Sequence, residues 1–308
     1  MKRRNFVKAL SGIGITGLAT SLYTWQIEPY WVEFVNLPMP IKHLPNKLIG
    51  KKLVQISDMH VGNRFDWHYL IDSLKKVQVM NPDFVVYTGD FVSYESSQQF
   101  DQLAKVFEHK AIGKLGTFGV LGNHDYGYNW AEPDVANNIT DVLESAGVHI
   151  LRNEIKDATG LNIIGIDDYW GTNYHPSSVM EKTDVNEASI VLCHNPDVAD
   201  QPVWHNYQGW ILSGHTHGGQ CKPPFLPPPI LPVKNSHYTS GKIDLEDGRL
   251  LYINRALGCM YPIRFNVRPE ITIFTLEQAS TYHYFKIAFN FFINFILFSF
   301  IFTAKRGF

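Results

Sequence analysis

"KLVQISDMH", Lys52–His60, is a short, mostly apolar run that ends in Asp-x-His. Runs of this length read as strands buried on both faces. Five more follow it: "DFVVYT", "FGVLG", "LNIIGI", "SIVLC" and "GWILS". Helical faces lie between the early ones. Leu70, Leu74 and Val77, with Ile71 and Met80, make one; Phe100, Leu103, Val106 and Phe107 a second; Val135, Ile139, Val142 and Leu143 a third. Strands alternating with helices specify an α/β architecture. There is no internal repeat.

The residues after the strands carry the chemistry. "VQIS" leads to Asp58 and His60, "VVYTG" to Asp90, and "GVLG" to Asn123, His124 and Asp125. "IVLC" leads to His194, and "WILSG" to His215 and His217. All are metal-ligand residue types, and open α/β sheets bind ligands at the C-terminal ends of their strands. One Asp-x-His means little, but five strand ends offering Asp, Asn or His do not arise by accident. In "LSGHTHGGQC", Leu212–Cys221, two imidazoles are walled in by glycines, which let backbone approach a bulky or charged group.

"DMH", "GD", "GNHD", the lone His194 and "GHTH" resemble the ordered signature of the calcineurin-like metallophosphoesterases. With "NPDFVVYTGD", "LSGHTHGGQ" and "RALGCMYPIRFNVRPEITIF", the likeness is to the membrane-associated, twin-arginine-exported phosphodiesterase branch, over roughly residues 45–277. The resemblance implies a two-sheet β-sandwich flanked by helices, and two divalent cations of Mn, Fe or Zn type. It implies Asp58, His60 and His217 on one cation, Asn123, His194 and His215 on the other, and Asp90 between them. His124 corresponds to the family's catalytic histidine. Asp125 leaves two readings open, an acid that orients His124 and a cap on the following turn.

The two ends differ from the middle. "MKRRNFVKALSGIGITGLATSLY" has a basic head and an apolar stretch, with Arg3-Arg4, Phe6 and Lys8 in a twin-arginine arrangement. "GIGITG" also fits a dinucleotide fingerprint, but no strand precedes it. Ile287–Ala304 is uncharged, Phe-rich and closed by Lys305 and Arg306, near the lower limit of roughly 17–25 residues for crossing a bilayer. The expected organisation is a signal or anchor over 1–24, a linker over 25–44, the metallophosphoesterase domain over 45–277, and a membrane-spanning or membrane-surface helix over 284–304. The basic residues at both ends place the domain on the exported side, with the membrane as a partner.

A net charge of −2 offers no broad basic field, so nucleic acid is not an expected partner. Three cysteines cannot build a fully paired framework; a Cys221–Cys259 bridge is one option in an exported domain. "CKPPFLPPPILP" is a stiff, partly polyproline segment, read either as a groove for a lipid tail or as a rigid loop over the site. Arg64 is either a phosphate grip or a surface arginine, and His149, His175, His205 and His237 match no signature block. Neither G-x-S-x-G nor G-x-x-x-x-G-K-[ST] is present. The expected activity is hydrolysis of phosphodiesters or phosphomonoesters, lipid-linked or not, at the outer face of a bacterial-type membrane. The alternatives are a UDP-2,3-diacylglucosamine pyrophosphate hydrolase and a non-catalytic scaffold.

Overall fold

The computed structural model describes residues 3–279. The strands are β1 Glu33–Ile41, β2 Lys52–Ile56, β3 Phe84–Thr88, β4 Gly116–Val120, β5 His149–Ile150, β6 Glu154–Asp157, β7 Asn162–Ile166, β8 Ser189–Cys193, β9 Trp210–Ser213, β10 Gly241–Asp244, β11 Leu250–Ile253 and β12 Glu270–Gln278. The α-helices are α1 Arg3–Leu22, α2 Trp67–Val79, α3 Gln98–Phe107, α4 Pro133–Ser145 and α5 Ser177–Met180. One sheet runs β1-β12-β2-β3-β4-β5 and the other β10-β11-β9-β8-β7-β6. In the first, β2 to β5 are parallel and β12 is antiparallel to β2; in the second, β7, β8, β9 and β11 are parallel, with antiparallel edges.

Alternation along each central strand explains why the runs are apolar throughout. In β3, Phe84 and Val86 point between the sheets, whereas Val85 and Tyr87 point outward to the helices. In β8, Ile190 and Leu192 point inward while Val191 and Cys193 face the outer layer. Successive side chains leave opposite faces of a strand, so burial on both faces demands an apolar residue at every position. Leu70, Leu74 and Val77 of α2, Leu103, Val106 and Phe107 of α3, and Val135, Ile139 and Leu143 of α4 cover the outer face of the first sheet. The result is an α/β sandwich whose parallel strands all point their C-terminal ends at one edge.

The expected linker 25–44 is corrected. Two short helical turns, Tyr23–Ile27 and Glu28–Tyr30, lead into β1, which pairs along its whole length with β12. Pro38 and Pro40 obscure this strand in the sequence, but β1 is an edge, where a missing N–H costs no ladder bond. Glu28 is buried and its Oε1 accepts the Val267 N–H at 2.6 Å, so the segment belongs to the body.

Among the described residues no helix is long and apolar enough to cross a membrane. In α1, glycines and hydroxyl residues interleave Ile13, Ile15, Leu18 and Leu22 and dilute its hydropathy. The C-terminal helix expected over 284–304 lies outside the described residues.

Candidate metal centre

Loops from both sheets are fastened to one another at the strand ends. Past β2 and β3 the chains keep pairing, through Asp58 N–H to Gly89 O at 2.9 Å, His60 N–H to Asp90 O at 3.0 Å and Val61 N–H to Phe91 O at 2.8 Å. Across the sandwich, the His215 N–H donates to Asp58 Oδ1 at 3.0 Å, and His194 Nδ1–H donates to Thr88 O at 2.7 Å. Buried Gln55 bridges the sheets, giving Nε2–H to Thr88 Oγ1 and to Ser213 O, each at 3.0 Å.

Two groups of side chains result. Asp58, His60, Asp90 and His217 each place one ligand atom within 4.8 Å of the others, and so do Asp90, His194 and His215. Asp90 belongs to both. Its Oδ2 lies 3.6 Å from His60 Nε2 and 3.2 Å from His194 Nε2. His217 Nε2 lies 3.3 Å from Asp58 Oδ1.

The donor set fits cations. His60 Nε2 faces His217 Nε2 at 3.1 Å, and His215 Nδ1 faces His194 Nε2 at 3.2 Å. Ring nitrogens this close share either a proton or a cation. Three of the four opposite nitrogens are held: His194 Nδ1 on Thr88 O, His60 Nδ1 at 3.0 Å from Ser93 Oγ, and His215 Nε2 on Pro232 O at 2.9 Å, whereas His217 Nδ1 is buried without a hydrogen-bond partner. The carbonyl partners fix the tautomers of His194 and His215 that turn a lone pair inward. The Asn123 Oδ1 atom is buried and accepts no hydrogen bond, an arrangement a protein tolerates where something else binds that oxygen.

Electrostatics agree. Burial, then the neighbouring His194, pushes His215 down to about 3, so its ring is neutral. Burial likewise holds His60 well below its ordinary value. Burial opposes the charge on Asp58, but His217 beside it holds the carboxyl at about 2. Burial disfavours a charged His194 as well, yet Asp90 and then Asp58 pull it well above its usual range. A cation held there would take the place of that proton.

The backbone is bent to serve the site. Asp58, His60, Asp90, His215 and His217 all have φ between 49° and 69°. Non-glycine residues avoid this left-handed region, and such strain gathers at functional sites at roughly 1–3 kcal/mol each. Glycines give the space. A Cβ on Gly122 would lie 2.3 Å from Asp90 Oδ1, and one on Gly214 would lie 2.2 Å from Asp58 Oδ2.

Residues 51–219 match the family of calcineurin-like phosphoesterases. The chain belongs to the calcineurin-like phosphoesterases. It is 31% identical to the uncharacterized metallophosphoesterase YkuE of Bacillus subtilis, with 91% of this chain and 99% of that protein covered. It is 28% identical to phosphodiesterase YaeI of Escherichia coli, over 90% and 99% of the two chains. It is 26% identical to the UDP-2,3-diacylglucosamine pyrophosphatase LpxG of Chlamydia trachomatis, over 85% and 97%. This calcineurin-like phosphoesterase is therefore a metal-dependent phosphoric ester hydrolase that uses two divalent cations.

Six of the seven residues read from the sequence as ligands, Asp58, His60, Asp90, His194, His215 and His217, come together in these groups. His124 is part-buried at the mouth; its ring lies edge-on to His60 at 5.1 Å and its N–H donates to Asp90 Oδ1 at 2.9 Å. Asp125 does not reach the His124 ring. Its oxygens accept Val92 N–H at 3.1 Å and Gly122 N–H at 2.9 Å, which makes it a cap that ties two site loops together. Arg64 is held by Glu95 at 2.8 Å and Tyr261 at 2.6 Å. Cys221 and Cys259 are free thiols.

Several neighbours escaped the sequence reading. Trp130 stacks on Trp170 at 4.6 Å, and Trp170 meets His215 edge-on at 4.6 Å. Asp168 is buried behind this pair, its Oδ2 accepting the Trp170 and Gly171 N–H groups. Asp167 and Asp168 follow β7 as the ligand residues follow the other strands, so the same strand-end signal marked them.

Proposed function

We propose that the protein hydrolyses phosphodiester or phosphomonoester bonds at the outer face of a membrane, with Asp90 shared by two cations. The observation that carries the reading is the membership of Asp90 in both ligand groups. Asp58, His60 and His217 would hold one cation with Asp90, and Asn123, His194 and His215 the other. Two bound cations supply charge stabilisation for phosphoryl oxygens and a water acidified toward neutral pH. The chain supplies the rest. The strained loops fix the spacing, the tautomers held by Thr88 and Pro232 aim His194 and His215, Ser93 steadies the His60 ring, and Asp125 locks the loop that carries His124. At the open mouth, His124 is placed to hydrogen-bond a phosphoryl oxygen or to protonate the leaving oxygen. The ligand set of imidazole and oxygen suits Mn, Fe or Zn.

The phosphodiesterase name of the E. coli relative supports the diester class, and the Chlamydia relative's name supports a pyrophosphate of a lipid nucleotide. The membrane reading is supported by the basic, twin-arginine-like head and by a relative from Danio rerio named as a transmembrane protein with a metallophosphoesterase domain. Two measurements test the proposal. Asp90→Asn should abolish turnover of an aryl phosphodiester by Mn-loaded protein and lower bound metal; normal occupancy and rate overturn the shared-carboxylate site. Protease added to intact spheroplasts should digest the catalytic domain, and protection until lysis overturns the outer location.

A further inference from the structure

Large apolar side chains left exposed gather on three linked segments, two of which adjoin the metal centre. The first is the proline-rich strap that leaves His217 and returns to His215, whose Nε2–H donates to Pro232 O. At its tip Phe225 is fully exposed, Ile230 is 79% exposed and Leu226 59%. Phe225 also has φ 66°, a costly conformation for a bulky residue, and it turns the ring away from the body. The second segment, 259–268, carries exposed Tyr261 and Ile263. Gln220 Nε2–H laces it to the strap through Tyr261 O at 3.0 Å and Ile263 O at 2.8 Å. The third is α1 with its continuation, exposing Ile13, Ile15, Leu18, Leu22, Trp25 and Ile27. It is tied to the second by the Arg264 N–H on Thr24 O at 3.0 Å.

Charge selects the occupant. Residues 220–235 and 259–268 hold four Lys and Arg and no Asp or Glu, in a chain with 29 acidic residues. All but Arg264 of these four are at least partly exposed. Apolar tips rimmed by cations, with indole and phenol rings among them, match the boundary between anionic headgroups and acyl chains. An open cleft of about 640 Å³ under the strap, lined by Lys222, Phe225, Leu226 and Asn266, offers both chemistries side by side.

We infer that this rim docks on an anionic lipid bilayer with the Phe225 tip inserted, so that the metal centre opens onto phosphoesters carried by lipid headgroups. The headgroup substrate rests on the phosphoesterase reading above; the docking does not. The test uses the full chain on vesicles of equimolar phosphatidylcholine and phosphatidylglycerol with brominated acyl chains. Phe225→Trp adds an indole at the tip, and its added emission should fall by about half or more on these vesicles relative to unbrominated ones. In parallel, Phe225→Ser/Leu226→Ser/Ile230→Ser should lower vesicle partitioning by about tenfold or more. Added emission that stays unquenched while the protein floats with the vesicles overturns the docking, as does unchanged partitioning of the triple variant. Hydrolysis of a soluble aryl phosphodiester should be unaltered in both variants. Its absence from the parent would refute the catalytic reading while leaving the quenching to judge the surface.

Discussion

Gly122→Ala isolates the placement of Asp90 from its chemistry. Gly122 has φ −106° and ψ 177°, extended angles that alanine adopts freely, so backbone preference contributes nothing. The new methyl would lie 2.3 Å from Asp90 Oδ1 and 2.5 Å from the Asp90 nitrogen. Relief to an ordinary carbon–oxygen contact moves the carboxylate by about 1 Å. That shift breaks the 2.9 Å bond from the His124 N–H and pulls one oxygen from the point where both ligand groups meet. A displacement of about 1 Å costs about 10²-fold in rate, and overpacking costs about 1–3 kcal/mol, a fall in Tm of roughly 2–12 °C. Bound metal, kcat on an aryl phosphodiester and a thermal melt measure the three parts. A folded variant with full metal content and kcat within about threefold of the parent would show that the position of Asp90 does not govern the site.

Three other expectations follow from the same geometry. His124→Ala should keep both metals and lose about 10²–10⁴ in kcat, whereas lost metal would make His124 a ligand. Burial raises Asp168 to about 7 from an ordinary 3.8, so between those values the folded state binds more protons than the unfolded one, and stability falls as pH rises through the window. Asp168→Asn stays neutral, so the melting temperature of variant minus parent should climb from about pH 4 to 7; a flat difference refutes the shift. Arg264 is wholly buried and donates to the carbonyls of Arg255, Ala256, Gly258 and Val267, so Arg264→Lys, with one ammonium for four acceptors, should cost about 3–5 kcal/mol in urea melts, and a loss below about 1 kcal/mol would refute its anchoring role.

The centre of the fold was legible because β3, β8 and β9 are buried on both faces and so read as unbroken apolar runs. The ligands were legible because side chains at the ends of parallel strands have one place to go. The edges were not. β1 carries two prolines, and β6 and β10 alternate only weakly because each is half solvated. Asp125 could not be assigned from spacing, since a carboxylate one residue from His124 can face the ring or turn back to the backbone; here Gly122 and Val92 take both oxygens. The Trp130–Trp170 stack joins loops forty residues apart, and no local pattern announces it.

The insertion of β12 between β1 and β2 orders events in the life of the chain. Within its sheet β1 touches only β12, and the turn after α1 leans on residues 264–267. Until the ribosome has delivered residues 264–278, the first strand has no ladder and Glu28 has no N–H to receive. The helix α1 thus stays untethered until these residues have been made and is clasped only when β12 slides in beside it. Any machinery that reads the basic head of a nascent chain meets it free. Machinery that waits for a finished domain meets the same helix with its trailing end already fastened beside the metal centre.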